Sequence, residues 1–79
     1  MKTRYKYIHF EEIPQGRGPN VWYCCNNVGI KTDSGLGRVE YYKPWKRFIF
    51  GRTDYYAIFS HDCLLDIADF LKQLNEAKK

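Results

Sequence analysis

Residues 39–50 read VEYYKPWKRFIF, and the fold turns on how they are taken. The stretch holds five aromatic side chains, Tyr41, Tyr42, Trp45, Phe48 and Phe50, with Lys43, Lys46 and Arg47 between them. Its aromatic and β-branched content predicts a strand over 38–50. Pro44 has no backbone N–H to give to a ladder, so it marks an edge or a bulge. A bulge there shifts the inward face by one residue. The inward side chains are then Val39 and Tyr41 before Pro44, and Phe48 and Phe50 after it.

Outward from this stretch, RYKYIHFEEI (4–13) predicts a first strand with Tyr5, Tyr7, His9 and Glu11 on one side and Lys6, Ile8, Phe10 and Glu12 on the other. PQGRGPN (14–20) breaks it with two prolines and two glycines, leaving an exposed loop centred on Arg17. VWYCCNNVGI (21–30) predicts a second strand that weakens at its asparagines. KTDSGLG (31–37) suits a hairpin turn. Gly51 to Asp54 make another turn, and YYAIFS (55–60) is short and strand-like.

The helix is the clearest element. Ser60 is a good N-cap, and Asp62 places negative charge in the first turn. Leu64, Ile67, Ala68, Leu71 and Leu74 recur at helical spacing, and Cys63 and Phe70 widen the stripe. Asp66, Asp69, Lys72, Gln73 and Glu76 face out, and the end frays from Glu76. The expected architecture is α+β in the order ββββα. A three- to four-stranded antiparallel meander spans about 4–60, with one C-terminal helix, about 61–76, packed on one face of the sheet. One helix leaves the second sheet face to water, a partner or another copy of the chain.

Seventy-nine residues make one small domain. Fourteen aromatics give so short a chain a core, each burying on the order of 150–250 Å². The net charge is +4, unevenly placed. Residues 1–53 carry ten Lys and Arg against four Asp and Glu, and residues 54–79 carry three against five, balances of +6 and −2. An acidic partner would therefore meet the first part of the chain. Cys24, Cys25 and Cys63 do not form a disulfide framework and fit reduced thiols in a reducing cytoplasm. No leader peptide is visible, and no run approaches the roughly 20 apolar residues that span a bilayer.

Catalytic signals are weak. Structural zinc sites pair their ligands two to four residues apart. Cys24-Cys25, His61-Asp62-Cys63 and His9 lack that spacing, so no metal or cofactor is expected. A Cys/His nucleophile pair, Cys63 or Cys25 with His9 or His61, would meet only by accident of folding. GLGR (35–38) is followed by no helix N-terminus and reads as a turn rather than a phosphate loop. The chemistry that remains is binding. The aromatics of 39–50 either fill cross-strand positions while their basic neighbours are merely solvated, or they present rings and cations to nucleic acid. The candidate binding residues are Arg38, Tyr42, Lys43, Trp45, Lys46, Arg47 and Arg52, expected as a basic aromatic patch on the open sheet face.

Two stretches, GLGRVEYYKPWKRFIF and YYAIFSHDCLLDIADFLKQLN, carry a family resemblance. Leu36-Gly37, the pair Tyr41-Tyr42, Trp45-Lys46, Phe48 and Phe50, then Cys63-Leu64, Asp66-Ile67 and Phe70-Leu71 form a pattern that resembles small phage and prophage accessory proteins over residues 35–75. A proline often follows the aromatic run there, and Gly51 stands in its place here. The resemblance implies a non-enzymatic accessory protein of the host cytoplasm and supplies no catalytic residues. Expected partners are nucleic acid or an acidic host protein surface. In the second case the chain would act as an inhibitor or adaptor, for example a host-defence inhibitor such as an anti-CRISPR. A homodimer through the uncovered sheet face is a further expectation.

Overall fold

The computed structural model describes residues 1–27, 35–52 and 58–78. Four strands, β1 (Ile8–Ile13), β2 (Val21–Asn26), β3 (Gly35–Tyr42) and β4 (Arg47–Arg52), precede one helix, α1 (His61–Lys78). The strands pair antiparallel in the order β1-β2-β3-β4, and α1 covers one face. The expected ββββα architecture is therefore the observed one.

Residues 39–50 are not one interrupted strand but a hairpin. Lys43–Trp45 form a single 3-10 turn between β3 and β4, with Pro44 in its first positions. Pro44 pre-sets the φ that such a turn needs. The Lys46 N–H donates to the Lys43 carbonyl at 3.0 Å. Lys46 itself adopts φ 53°, the left-handed region more often given to Gly or Asn. The chain thus reverses within four residues, and Tyr42 pairs with Arg47. The four side chains expected to point inward do so, as the cross-strand pairs Val39–Phe50 and Tyr41–Phe48. Of the strand expected at 55–60, residues 55–57 lie outside the described residues, and 58–60 form no strand.

β1 starts at Ile8 rather than Arg4. The preceding residues fold back along its outer edge. The Tyr5 N–H donates to the Ile8 carbonyl, the Phe10 N–H donates to the Thr3 carbonyl (each 2.8 Å), and Arg4 bridges to His9. This reversal takes Tyr5 off the face of His9 and into the core, where its hydroxyl donates to Asp69 Oδ2 at 2.8 Å. Gln73 Nε2 donates to the same hydroxyl at 2.9 Å.

The core joins Ile8, Phe10, Cys24, Val39 and Phe48 of the sheet to Ile67, Phe70 and Leu74 of α1. Phe70 stacks on Phe10 with ring centroids 3.9 Å apart and meets Trp22 edge-on at 5.1 Å. The apolar stripe is narrower than the expected one, and Leu71 packs beside it as expected. Cys63, Ile67, Phe70 and Leu74 face the sheet, while Leu64 and Ala68 are exposed. Ser60 caps the helix as expected, its Oγ accepting the Cys63 N–H at 3.2 Å. The helix spans His61–Lys78, two residues beyond the expected end.

The far edge of the sheet is also tied down. Asn75 Oδ1 accepts the Phe48 N–H at 2.7 Å, and its Nδ2 donates to the Phe48 carbonyl at 3.4 Å. A side-chain amide here copies the missing fifth strand at one residue, a means of blunting an edge. Among the described residues, no helix is long and apolar enough to cross a membrane.

Candidate binding site at the hairpin tip

Five of the seven expected residues, Tyr42, Lys43, Trp45, Lys46 and Arg47, come together at the β3–β4 turn. The turn geometry explains their exposure. A 3-10 turn followed by a left-handed residue throws successive side chains outward, so none of Lys43, Pro44 and Trp45 is buried. Trp45 is 65% exposed and Tyr42 41%. Their rings meet edge to face at 5.1 Å, a geometry favoured by the ring quadrupoles. Lys43, Lys46 and Arg47 are exposed around them. The Arg47 Nε donates to the Trp45 carbonyl at 3.4 Å, which keeps the guanidinium at the turn.

The meander brings a further cation, Arg17, to the same end of the sheet. In an antiparallel sheet the β1–β2 and β3–β4 connections leave from the same end. Arg17, Gly18 and Pro19 of the first connection line a shallow cleft with Glu40, Tyr41 and Lys43. Gly18 takes φ 76° in this loop. The sequence puts Arg17 at the centre of an exposed loop. Only strand pairing reveals that the loop stands beside Lys43.

The other two expected residues stand apart. Arg38 is cross-strand from Tyr23 on the face away from the helix and forms an ion pair with Glu40 at 3.3 Å, so part of its charge is already answered. Arg52 ends β4 opposite Gly37, five residues and roughly 17 Å of strand from Arg47. Its side chain lies outside the described residues. Among the described residues the uncovered sheet face is thus no continuous aromatic platform, contrary to the expected sheet-face patch. Tyr23 is separated from Tyr42 by the Arg38–Glu40 pair, and the concentrated aromatic and basic surface is the tip.

A second cluster lies at the opposite end of the sheet. His9 and Cys25 are direct cross-strand partners, and Glu11 follows His9 on the same face. Their ligand-type atoms all lie within 4.8 Å of one another. His9 Nε2 is 2.8 Å from Glu11 Oε2, and Nδ1 is 2.7 Å from Asn27 Oδ1. His61 and Asp62 are exposed at the start of α1, and Cys63 packs against the core.

Fold and site together define a small α+β protein that, among the described residues, concentrates aromatic and basic side chains at one hairpin tip. No protein-family model, curated protein or solved structure matches the chain.

Proposed function

We propose that this chain is a non-enzymatic accessory binding protein of phage type that binds single-stranded nucleic acid through the β3–β4 hairpin tip. The observation that carries this reading is the exposed Trp45 ring, held edge-on by Tyr42 with Lys43, Lys46 and Arg47 on the same turn. Bases stack on exposed rings regardless of sequence, and cations alongside meet the phosphates. Arg17 extends the positive charge to the neighbouring loop. The test is an NMR titration of the labelled protein with a short single-stranded oligonucleotide. Amide shifts should concentrate on residues 42–47 and 15–19. Shifts confined to α1, or none at all, would remove the reading.

One observation favours a second reading, a protein partner. Trp45 lines a largely apolar cleft along β4 together with Arg47, Phe48, Ile49, Phe50 and Leu71. Trp, Tyr and Arg are also frequent interface anchors. The resemblance of residues 35–75 to small phage accessory proteins suits a host-directed inhibitor equally well.

A further inference from the structure

We propose that His9, Glu11 and Cys25 form a binding site for a borderline-soft divalent metal ion of the Zn²⁺ type, on the uncovered sheet face away from the hairpin tip. The ligand set is built by register. His9 and Cys25 face each other across the β1–β2 pair, and Glu11 lies two residues along the same face. Their ligand atoms fall within 4.8 Å of one another. Zinc bonds of about 2.0–2.3 Å place tetrahedral ligand atoms roughly 3.3–3.8 Å apart, so small side-chain rotations suffice.

Asn27 decides which histidine nitrogen serves. Its Nδ2 donates to the carbonyls of Tyr5 at 2.7 Å and Lys6 at 3.1 Å, which fixes the amide orientation. Its Oδ1 therefore faces His9 Nδ1 as an acceptor and also takes a hydrogen bond from Arg4 at 3.2 Å. Nδ1 must carry a proton, and a neutral ring then presents the Nε2 lone pair to Glu11. A lone pair and a carboxylate oxygen 2.8 Å apart repel unless a cation lies between them. That cation is a second ring proton or a metal. An outer partner that fixes the tautomer of a ligating imidazole is the arrangement metal sites use.

The donor set selects the ion. One thiolate, one imidazole and one carboxylate suit Zn²⁺ or Co²⁺ rather than Mg²⁺ or Ca²⁺, which take oxygen ligands. Cys25 is buried at 9% exposure, His9 is half-buried and Glu11 is exposed, so the cluster runs from the interior to the surface. On binding, the Cys25 thiol gives up its proton to water and the thiolate enters the metal's coordination shell.

The test is a Co²⁺ titration of chelator-treated protein followed by Zn²⁺ displacement. The proposal expects one Co²⁺ per chain, with a thiolate-to-cobalt charge-transfer band that Zn²⁺ abolishes. Cys25→Ser should remove that band, and Glu11→Gln, an exposed position that the core does not need, should weaken binding by about 10- to 100-fold or more. Cys63→Ser should leave both unchanged. No charge-transfer band in the unsubstituted protein would overturn the proposal and leave His9 bridged to Glu11 by a proton. A band that survives Cys25→Ser and disappears in Cys63→Ser would overturn it too.

Discussion

Tyr42 and Trp45 meet with their ring planes at 85° and their centroids 5.1 Å apart, across a turn that carries no buried residue. This contact organises the tip without joining it to the core. Trp45→Ala should therefore leave stability within about 0.5 kcal/mol of the parent, as is usual for surface changes. The same substitution should weaken single-stranded nucleic-acid binding by about 1–3 kcal/mol, the worth of one stacked base. Thermal melts beside binding isotherms check both halves. A large loss of stability would mean that Trp45 belongs to the fold.

Lys46 has two roles that substitution separates. Its backbone sits at φ 53°, and its side chain is exposed at the tip. Lys46→Gly removes the charge while relieving the backbone, so stability should hold or rise by up to about 1 kcal/mol. The salt dependence of nucleic-acid binding should nevertheless fall by about one phosphate contact. A slope that does not change would take Lys46 out of the interface.

Gly37 is required for space rather than for φ. A methyl group at this position would meet the Phe50 ring and come within 2.7 Å of the Gly51 carbonyl oxygen. Backbone cannot yield as a flexible side chain does. Gly37→Ala should cost about 1–3 kcal/mol in chemical denaturation, the scale of overpacking. A neutral result would show that β3 and β4 separate more readily than their pairing implies.

Two buried acids predict an alkaline limit. Burial, with the neighbouring Cys25 and Cys63, pushes the Cys24 thiol up to about 12. Burial, then the hydrogen bond and negative charge of Asp69, raises the Tyr5 phenol, and the hydrogen bond from Gln73 works in the opposite direction. Each group ionises later in the folded chain than in the unfolded one, near 8.5 for Cys and 10 for Tyr. Their contribution is fully present below those unfolded values and is lost as pH rises through the folded ones. Urea midpoints should fall steadily from about pH 8.5 to about pH 12, and less steeply in Tyr5→Phe. Midpoints that rise over this range would contradict the assignment.

Asn75 reaches from α1 to the β4 edge, and Asn75→Ala leaves the Phe48 N–H and carbonyl without that amide. A cost of about 1 kcal/mol follows. Native-state hydrogen exchange should show faster exchange at the Phe48 amide than in the parent. An unchanged rate would mean that water replaces Asn75 at no loss.

Much of this fold was legible in the sequence because period and polarity agree. Alternation with a one-residue shift at Pro44 puts Val39, Tyr41, Phe48 and Phe50 inward, and Ser60 and Asp62 mark the helix start. The hairpin was missed because KPWK lacks Gly, Asn and Asp, and a lysine occupies the left-handed position. The helix stripe reads wider in the sequence than in the fold because Leu64 and Ala68 fit a period of 3.6 residues as well as Cys63 and Phe70 do. What decides between them is the stacking of Phe70 on Phe10, a contact across sixty residues of chain. The aromatic and basic character of the tip could be read from composition. Its gathering with Arg17, and the meeting of His9 with Cys25, depend on strand register, which no local pattern carries.

The most direct test of the hairpin tip as a nucleic-acid interface is fluorescence anisotropy of a labelled single-stranded oligonucleotide, titrated with protein over a range of salt. Micromolar or tighter binding is expected, with log K falling against log salt at a slope of about −3 if Arg17, Lys43, Lys46 and Arg47 each neutralise one phosphate. Trp45→Ala should weaken binding without changing that slope. Absence of binding at low salt, or binding indifferent both to salt and to Trp45, would contradict the interface and move the tip to a protein partner.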